Sequence, residues 1–343
     1  MRHLLNTLFI LTEDAYLSLQ NENVVVWQGE EKLGQVPLQT LENIVTFSYK
    51  GASPALMGAC ADRGIGLAFC TPHGRFLARV SGESRGNVLL RRRQYRLADG
   101  EAERCSFARD FITGKLHNSR VLLARALRDH RMSIDEKAVS EAVQEMAGSI
   151  REARQAKDAD NLRGIEGNAA HAYFSVFGEL ILQDKEHFAF HGRVKRPPDS
   201  PVNALLSFAY TMLAHDCASA LESVGLDAYV GFLHTDRAGR TSLALDLMEE
   251  LRSIFADRFV LTLINNRIIR ASDFETQEDG AVLLTQDGRK KFLSAWQEKK
   301  RETITLPFLE EKLAWGLVPY TQSLLLARTI RGDLSEYPAF LWK

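Results

Sequence analysis

Up to residue 82 the chain alternates apolar and polar positions over short runs; beyond it, apolar residues recur every three or four positions. The first pattern predicts strands at HLLNTLFIL, YLSLQ, NVVVWQ, IVTFSY and GLAFCT, with RFLARVSG as the last. Among them Ser53 to Gly64 predicts one helix, capped by Ser53, with Pro54 in its first turn and Gly64 as its stop. The second pattern predicts helices at NVLLRRRQYRL, AERCSFARDFITGKLHNSRVLLARALRD and DEKAVSEAVQEMAGSIREARQAKD. A further helix starts near Pro201, capped by Asp199 or Ser200. It is apolar nearly all round from Ala204 to Leu221, which makes it the central buried helix. KKFLSAWQEKKRE and ITLPFLEEKLAWGLVPYTQSLLLARTIRGD are both expected to be helical, ending at the turn Arg331-Gly332-Asp333. The predicted class is α+β: a β-rich domain over 1–82, a linker at 83–87, and a larger all-α domain over 88–343.

Composition narrows the class. The 343 residues are 45% hydrophobic and 25% charged, ordinary for a globular chain of two domains. No apolar run approaches membrane-spanning length, and MRHLLNTLFILTEDAY reads as a first strand, not a leader peptide. The isolated cysteines Cys60, Cys70, Cys105 and Cys217 fit a reduced cytoplasm without zinc or disulfides. A net charge of −1 counts against a nucleic-acid partner. Binding depends on local patches, however, and Arg91-Arg92-Arg93, Lys195-Arg196, Arg289-Lys290-Lys291 and Lys299-Lys300-Arg301 supply them. Each alone reads as a solvated helix face sooner than as a phosphate site.

Two segments carry candidate chemistry. In GFLHTDRAGRTSLALDLMEELR a strand-like lead-in brings His234 to a turn, and a helix follows with Ser242 as its expected cap. Leu243, Leu247, Leu251 and Phe255 form its buried stripe; Asp246 and Glu249, three residues apart, share a neighbouring face. Carboxylates at the edge of an apolar stripe need a positive neighbour. With a histidine close by, Mn²⁺ or Mg²⁺ fits them better than zinc; ordinary solvated acids are the competing reading. Glu250, about 100° further round, is expected at the surface. In NLRGIEGNAAHAYF, Gly164 and Gly167 bracket Glu166, each costing a helix roughly 1 kcal/mol. They mark either helix packing beside a surface glutamate or the close approach of a ligand.

GIEGNAAHAYF, RPPDSPVNALLSFAY, GFLHTDRAGRTSLALDLMEELR and LLARTIRGDLSEYPAFLWK together resemble, in order and spacing, the CRISPR-associated spacer integrase family ("Cas one"). The opening and SLALDLMEELR look most like its type I-C members. The resemblance implies a metal-dependent DNA endonuclease and integrase of CRISPR adaptation, with Mg²⁺ or Mn²⁺ held by Glu166, His234 and Glu249. Many relatives carry Asp where this chain has Glu249. Asp246, one turn earlier, therefore stands as an alternative ligand or as holder of a metal-bound water. The resemblance further implies double-stranded DNA as partner, a homodimer through residues 1–85, and a small partner subunit ("Cas two"). The reaction it implies joins a DNA 3′-hydroxyl to a phosphodiester of the repeat. That needs no ATP, in keeping with the lack of a GxxxxGK[ST] motif. Arg163, Arg237, Arg240, Lys290 and Lys291, with Arg289, are candidate phosphate contacts by their place in the sequence. His171 is a possible assistant; His215 is a core histidine. The alternative from another class is a non-catalytic DNA-binding scaffold of the same fold, its carboxylates structural.

Overall fold

A computed structural model describes residues 6–72, 74, 76–80, 82 and 87–343. Residues 1–5 of the predicted first strand and 83–86 of the predicted linker lie outside the described residues.

The β-rich part holds two sheets. β1 (Thr7–Ile10), β5 (Asn43–Thr46) and β6 (Gly66–Cys70) run parallel, and β7 (Phe76–Val80) closes the sheet antiparallel to β6. β2 (Ala15–Gln20), β3 (Asn23–Gln28) and β4 (Glu31–Pro37) form an antiparallel meander. α1 (Pro54–Arg63) packs against both: the Ser53 hydroxyl accepts from Leu56 N–H, and Gly64 stops the helix at φ 64°. Leu17, Val24, Ile44, Leu56 and Leu67 make a small core of their own. β4 is absent from the predicted strands. Its sequence, EKLGQVP, contains Gly34 and ends in Pro37, both poor strand residues.

The second part is mostly helical. α2 (Val88–Asp99) leads to the 30-residue α3 (Glu101–His130), which packs against α4 (Glu136–Gln155) and α5 (Ala159–Ser175). α6 (Pro201–Ser223) is capped by Ser200 and buries Leu205, Leu206, Ala209 and Leu213 completely, as a helix apolar on all sides must. α7 (Ser242–Glu249) passes through a π-helical turn, Arg252–Asp257, into α8 (Arg258–Asn265). α9 (Gln286–Arg301) and α10 (Val318–Arg331) complete the layer, and Gly332 ends α10 at φ 88°. Two hairpins interrupt it: β8 (Phe274–Thr276) with β9 (Val282–Leu284), and β10 (Thr303–Thr305) with β11 (Lys312–Ala314). The expected helix through ITLPFLEEKL is thus a hairpin. Pro307 removes a helical N–H, and the ITL run is β-branched at Ile304 and Thr305.

Candidate active site

The loop before α7 is built around one carboxylate. Asp246 is fully buried. Its Oδ2 accepts from Phe232 N–H at 2.6 Å and Leu233 N–H at 3.0 Å. Its Oδ1 accepts from His234 N–H at 3.0 Å and from His234 Nδ1 at 2.6 Å. Four donors on one side chain turn GFLH into a tight bend, where the sequence suggested a strand. A Cβ on Gly231 would stand 2.8 Å from Asp246 Oδ2 and 2.9 Å from His234 O, so only glycine lets the loop close on the acid. Ser242 is not the cap: it is the first helical residue, and its hydroxyl donates back to Thr235 O at 3.2 Å. Because Asp246 only accepts, His234 carries its proton on Nδ1, and Nε2 presents a lone pair outward. Both Asp246 oxygens are thereby committed within the loop.

Nε2 of His234 faces Glu249 Oε1 at 4.0 Å. The other side of Glu249 meets α3. The Lys115 ammonium stands 2.8 Å from Glu249 Oε2 and pairs with Glu166 Oε1, bridging α7 to α5. Arg252 reaches back one turn to Glu249 Oε1 at 3.0 Å and lies 5.1 Å from the Tyr210 ring centroid. Burial alone would raise the Glu249 carboxyl; Arg252 first and Lys115 second outweigh it and hold it down at about 2. Behind Arg252, Asp257 accepts from Tyr210 at 2.6 Å and Tyr173 at 2.9 Å. Burial pushes its pKa up to about 6 against the pull of both tyrosines and Arg252. The π turn makes this possible, since one extra residue per turn brings Arg252 and Asp257 to the same buried flank.

Lys115 thus stands between Glu166 and Glu249, and His234 Nε2 lies 4.0 Å from Glu249. Among the described residues no three acidic, histidine or cysteine side chains stand close enough, as placed, to enclose a cation. The donor chemistry does suit one: an outward imidazole nitrogen, two carboxylates, and a buried Glu249 Oε2 that accepts no aligned hydrogen bond. Hard oxygen donors with one nitrogen match Mg²⁺ or Mn²⁺. A Cβ at Gly164 or Gly167 would meet nothing within 4 Å. The pair thus does not pack against another helix, and it leaves an open face on either side of Glu166.

The surrounding cations divide into two groups. Arg163 donates to Leu233 O at 3.3 Å and pairs with Asp160, beside the histidine loop. Arg240 braces Thr235 and Ser242, and Arg237 is exposed on the same turn. Arg289, by contrast, is only 5% exposed and donates to Leu284 O at 2.9 Å, while Lys291 pairs with Asp273 at 2.6 Å. Both work inside the β8–β9 region; Lys290 is exposed. Lys195, from the loop before α6, lies near Arg252 and Lys115, and burial first and these cations second lower its pKa. His171 is exposed on α5. His215 packs 4.5 Å from the Phe76 ring, and burial drives its pKa down to about 4.

Glu250 is fully buried, contrary to its expected surface place. It accepts from Tyr337 OH at 2.5 Å and Phe340 N–H at 2.7 Å, and so anchors the C-terminal segment to α3 and α7. Burial raises its pKa to about 7 against these hydrogen bonds. Helical spacing put it 100° from Glu249, but the returning tail covers that side as well. Gly114 permits the contact, since a Cβ there would stand 3.1 Å from Glu250 Cβ and 3.3 Å from Ala339 Cβ. Lys115 and Arg252 escape sequence reasoning. A signal existed for Lys115: it lies four residues after Phe111 and four before Ser119, on the buried stripe of α3.

Known proteins match this chain over its whole length. The profile of the family described as CRISPR associated protein Cas1 matches residues 8–298. A relative from Chlorobaculum tepidum, named CRISPR-associated endonuclease Cas1 1, is 49% identical over 343 residues, covering 100% of both chains. Among solved structures, a casposase bound to its integration product superposes with a TM-score of 0.84 at 20% identity, covering 98% of this chain and 94% of that one. A Cas6-RT-Cas1–Cas2 complex gives 0.83 at 21% identity, covering 100% of this chain and 36% of that one. At such identities these superpositions speak for the fold. The match to the family profile and the full-length identity decide the rest: this chain belongs to the Cas1 family of CRISPR-associated proteins.

Proposed function

We propose that this chain is a DNA endonuclease and integrase of CRISPR adaptation, that its reaction depends on Mg²⁺ or Mn²⁺, and that Glu166, His234 and Glu249 hold the ion. The observation that carries the reading is the joining of Glu166 and Glu249 through Lys115, with His234 Nε2 turned toward Glu249. A bound divalent ion would polarise the scissile phosphate and lower the pKa of the attacking hydroxyl. The residues themselves do the rest. Asp246 fixes the tautomer and angle of His234. Arg252 keeps Glu249 ionised from behind. Arg237 and Arg240 on the loop before α7, and Arg163 on α5 beside it, offer phosphate contacts. The open face beside Gly164 and Gly167 admits a DNA backbone to Glu166. Transfer of a DNA 3′-hydroxyl onto a repeat phosphodiester, or attack by water in its place, then takes place at one site.

The same reading includes a homodimer through residues 1–85 and a small second subunit of the kind named in the Cas1–Cas2 complex. It also includes a cytoplasmic place of action and kinship with type I-C systems. The Lys115 bridge favours one competitor, a scaffold that binds DNA without cutting it, in which a lysine satisfies structural carboxylates. DNA nicking and strand transfer with Mn²⁺, Mg²⁺ or EDTA separates the two. Wild type should act with either metal and stop with EDTA, and His234→Ala should be inactive while still binding DNA. No metal-dependent cleavage by a folded wild type would leave the scaffold.

A further inference from the structure

We propose that Lys115 is the internal counter-cation of this site: a divalent ion must displace it, and a DNA phosphate receives it, so ion and DNA load cooperatively. The inference rests on the metal reading above. Lys115 is 12% exposed, in the middle of the longest helix, and its polar contacts are Glu166 and Glu249. Those are the carboxylates a metal would use. An ion needs their oxygens at roughly 2.0–2.6 Å. An ion on Glu249 Oε2 would stand within a few ångströms of an ammonium already 2.8 Å from that oxygen, and the two cations would repel each other.

The two cations of the site differ in freedom. Arg252 is held by Glu249 at 3.0 Å and lies over Tyr210, with Asp257 close behind. Lys115 sits at the end of a flexible four-carbon stem and can swing. In the metal-free site the two carboxylates are met by Lys115 and Arg252 directly, with Lys195 near both cations. A divalent ion added without removing Lys115 would give a strongly positive cluster in a partly buried place. Expelling Lys115 with nothing to meet it strands an ammonium, which is also costly. A phosphodiester entering over Gly164 and Gly167 resolves both problems, because its non-bridging oxygens accept the ammonium while the ion takes the carboxylates. The lysine then stands at the substrate, and the site gains positive charge only when a phosphate is there to use it. By linkage, DNA must tighten the ion by the same factor as the ion tightens DNA.

The test measures Mn²⁺ binding by electron paramagnetic resonance of the free aquo ion, with and without a short DNA duplex, for wild type and Lys115→Met. Wild type should bind Mn²⁺ weakly alone and about tenfold more tightly with DNA, within the usual range of coupling. Lys115→Met should bind Mn²⁺ about tenfold more tightly than wild type without DNA, and DNA should add little. It should also melt earlier than wild type in EDTA and recover with Mn²⁺, since its carboxylates have lost their partner. Lys115→Gln serves in the same role if the methionine variant does not fold. Equal Mn²⁺ affinity in wild type and variant, or an equal DNA effect on both, overturns the inference and leaves the metal reading standing. Absence of Mn²⁺ binding by wild type and both variants, with or without DNA, overturns both.

Discussion

Asp246→Asn is the sharpest test of how the histidine is held. The carboxylate accepts Phe232 N–H and Leu233 N–H at one oxygen, and His234 N–H and Nδ1–H at the other. An amide keeps one acceptor. If that acceptor stays with Phe232 and Leu233, the new NH₂ faces two donors. The imidazole relieves one clash by moving its proton to Nε2, which leaves the His234 N–H orphaned in a buried place. One unsatisfied N–H and the loss of charge assistance in the rest should cost about 2–4 kcal/mol. For a chain of this size that lowers Tm by roughly 3–6 °C. The fold should survive, since domain stabilities run to about 5–15 kcal/mol. The tautomer is the more telling readout. Nε2 now carries a proton toward Glu249 and has no lone pair for an ion, so Mn²⁺ affinity should fall by about 10- to 100-fold. Calorimetry gives the first number, metal titration the second, and ¹⁵N chemical shifts of a labelled His234 report the tautomer directly. An unchanged Tm with His234 still protonated at Nδ1 would refute this account of the loop.

Other outcomes follow from the same contacts. Gly231→Ala must push its Cβ into Asp246 Oδ2 and His234 O, at 2.8 and 2.9 Å, and should cost about 1–3 kcal/mol in a melt while lowering nicking in parallel. Glu250→Ala leaves Tyr337 and the Phe340 N–H without their acceptor, so limited proteolysis should cut after Gly332 much faster than in wild type. Asp257 has its folded pKa raised from 3.8 to about 6, so its contribution is complete below pH about 4 and is lost as pH rises through about 6, worth about 3 kcal/mol. Asp257→Asn, whose amide can still pair with two tyrosine hydroxyls, should therefore flatten the stability loss measured by denaturant melts between pH 4 and 7; an unaltered slope would exclude Asp257 as its source.

What the sequence made legible follows a physical division. Local signals were sufficient where one residue does one job: Ser53 and Gly64 bound α1, Ser200 and Pro201 start α6, and the all-apolar face of α6 places it at the centre. They failed where a segment is stabilised from a distance. GFLH looks like a strand because it is apolar, yet its backbone donors go to Asp246 on the next helix, and no spacing within four residues can announce that. Glu250 looks like surface because helical spacing knows only one partner face, whereas the tail supplies a second. Lys115 was the hardest, and for an instructive reason. A lysine is costly on a buried stripe and is tolerated where carboxylates from other elements meet it. Here those carboxylates come from α5 and α7, 51 and 134 residues away in sequence, and only Glu249 was read as seeking a positive neighbour. Acids at an apolar margin need a cation, and the chain already holds one. Any divalent ion at this site therefore has to compete with a residue of the protein itself.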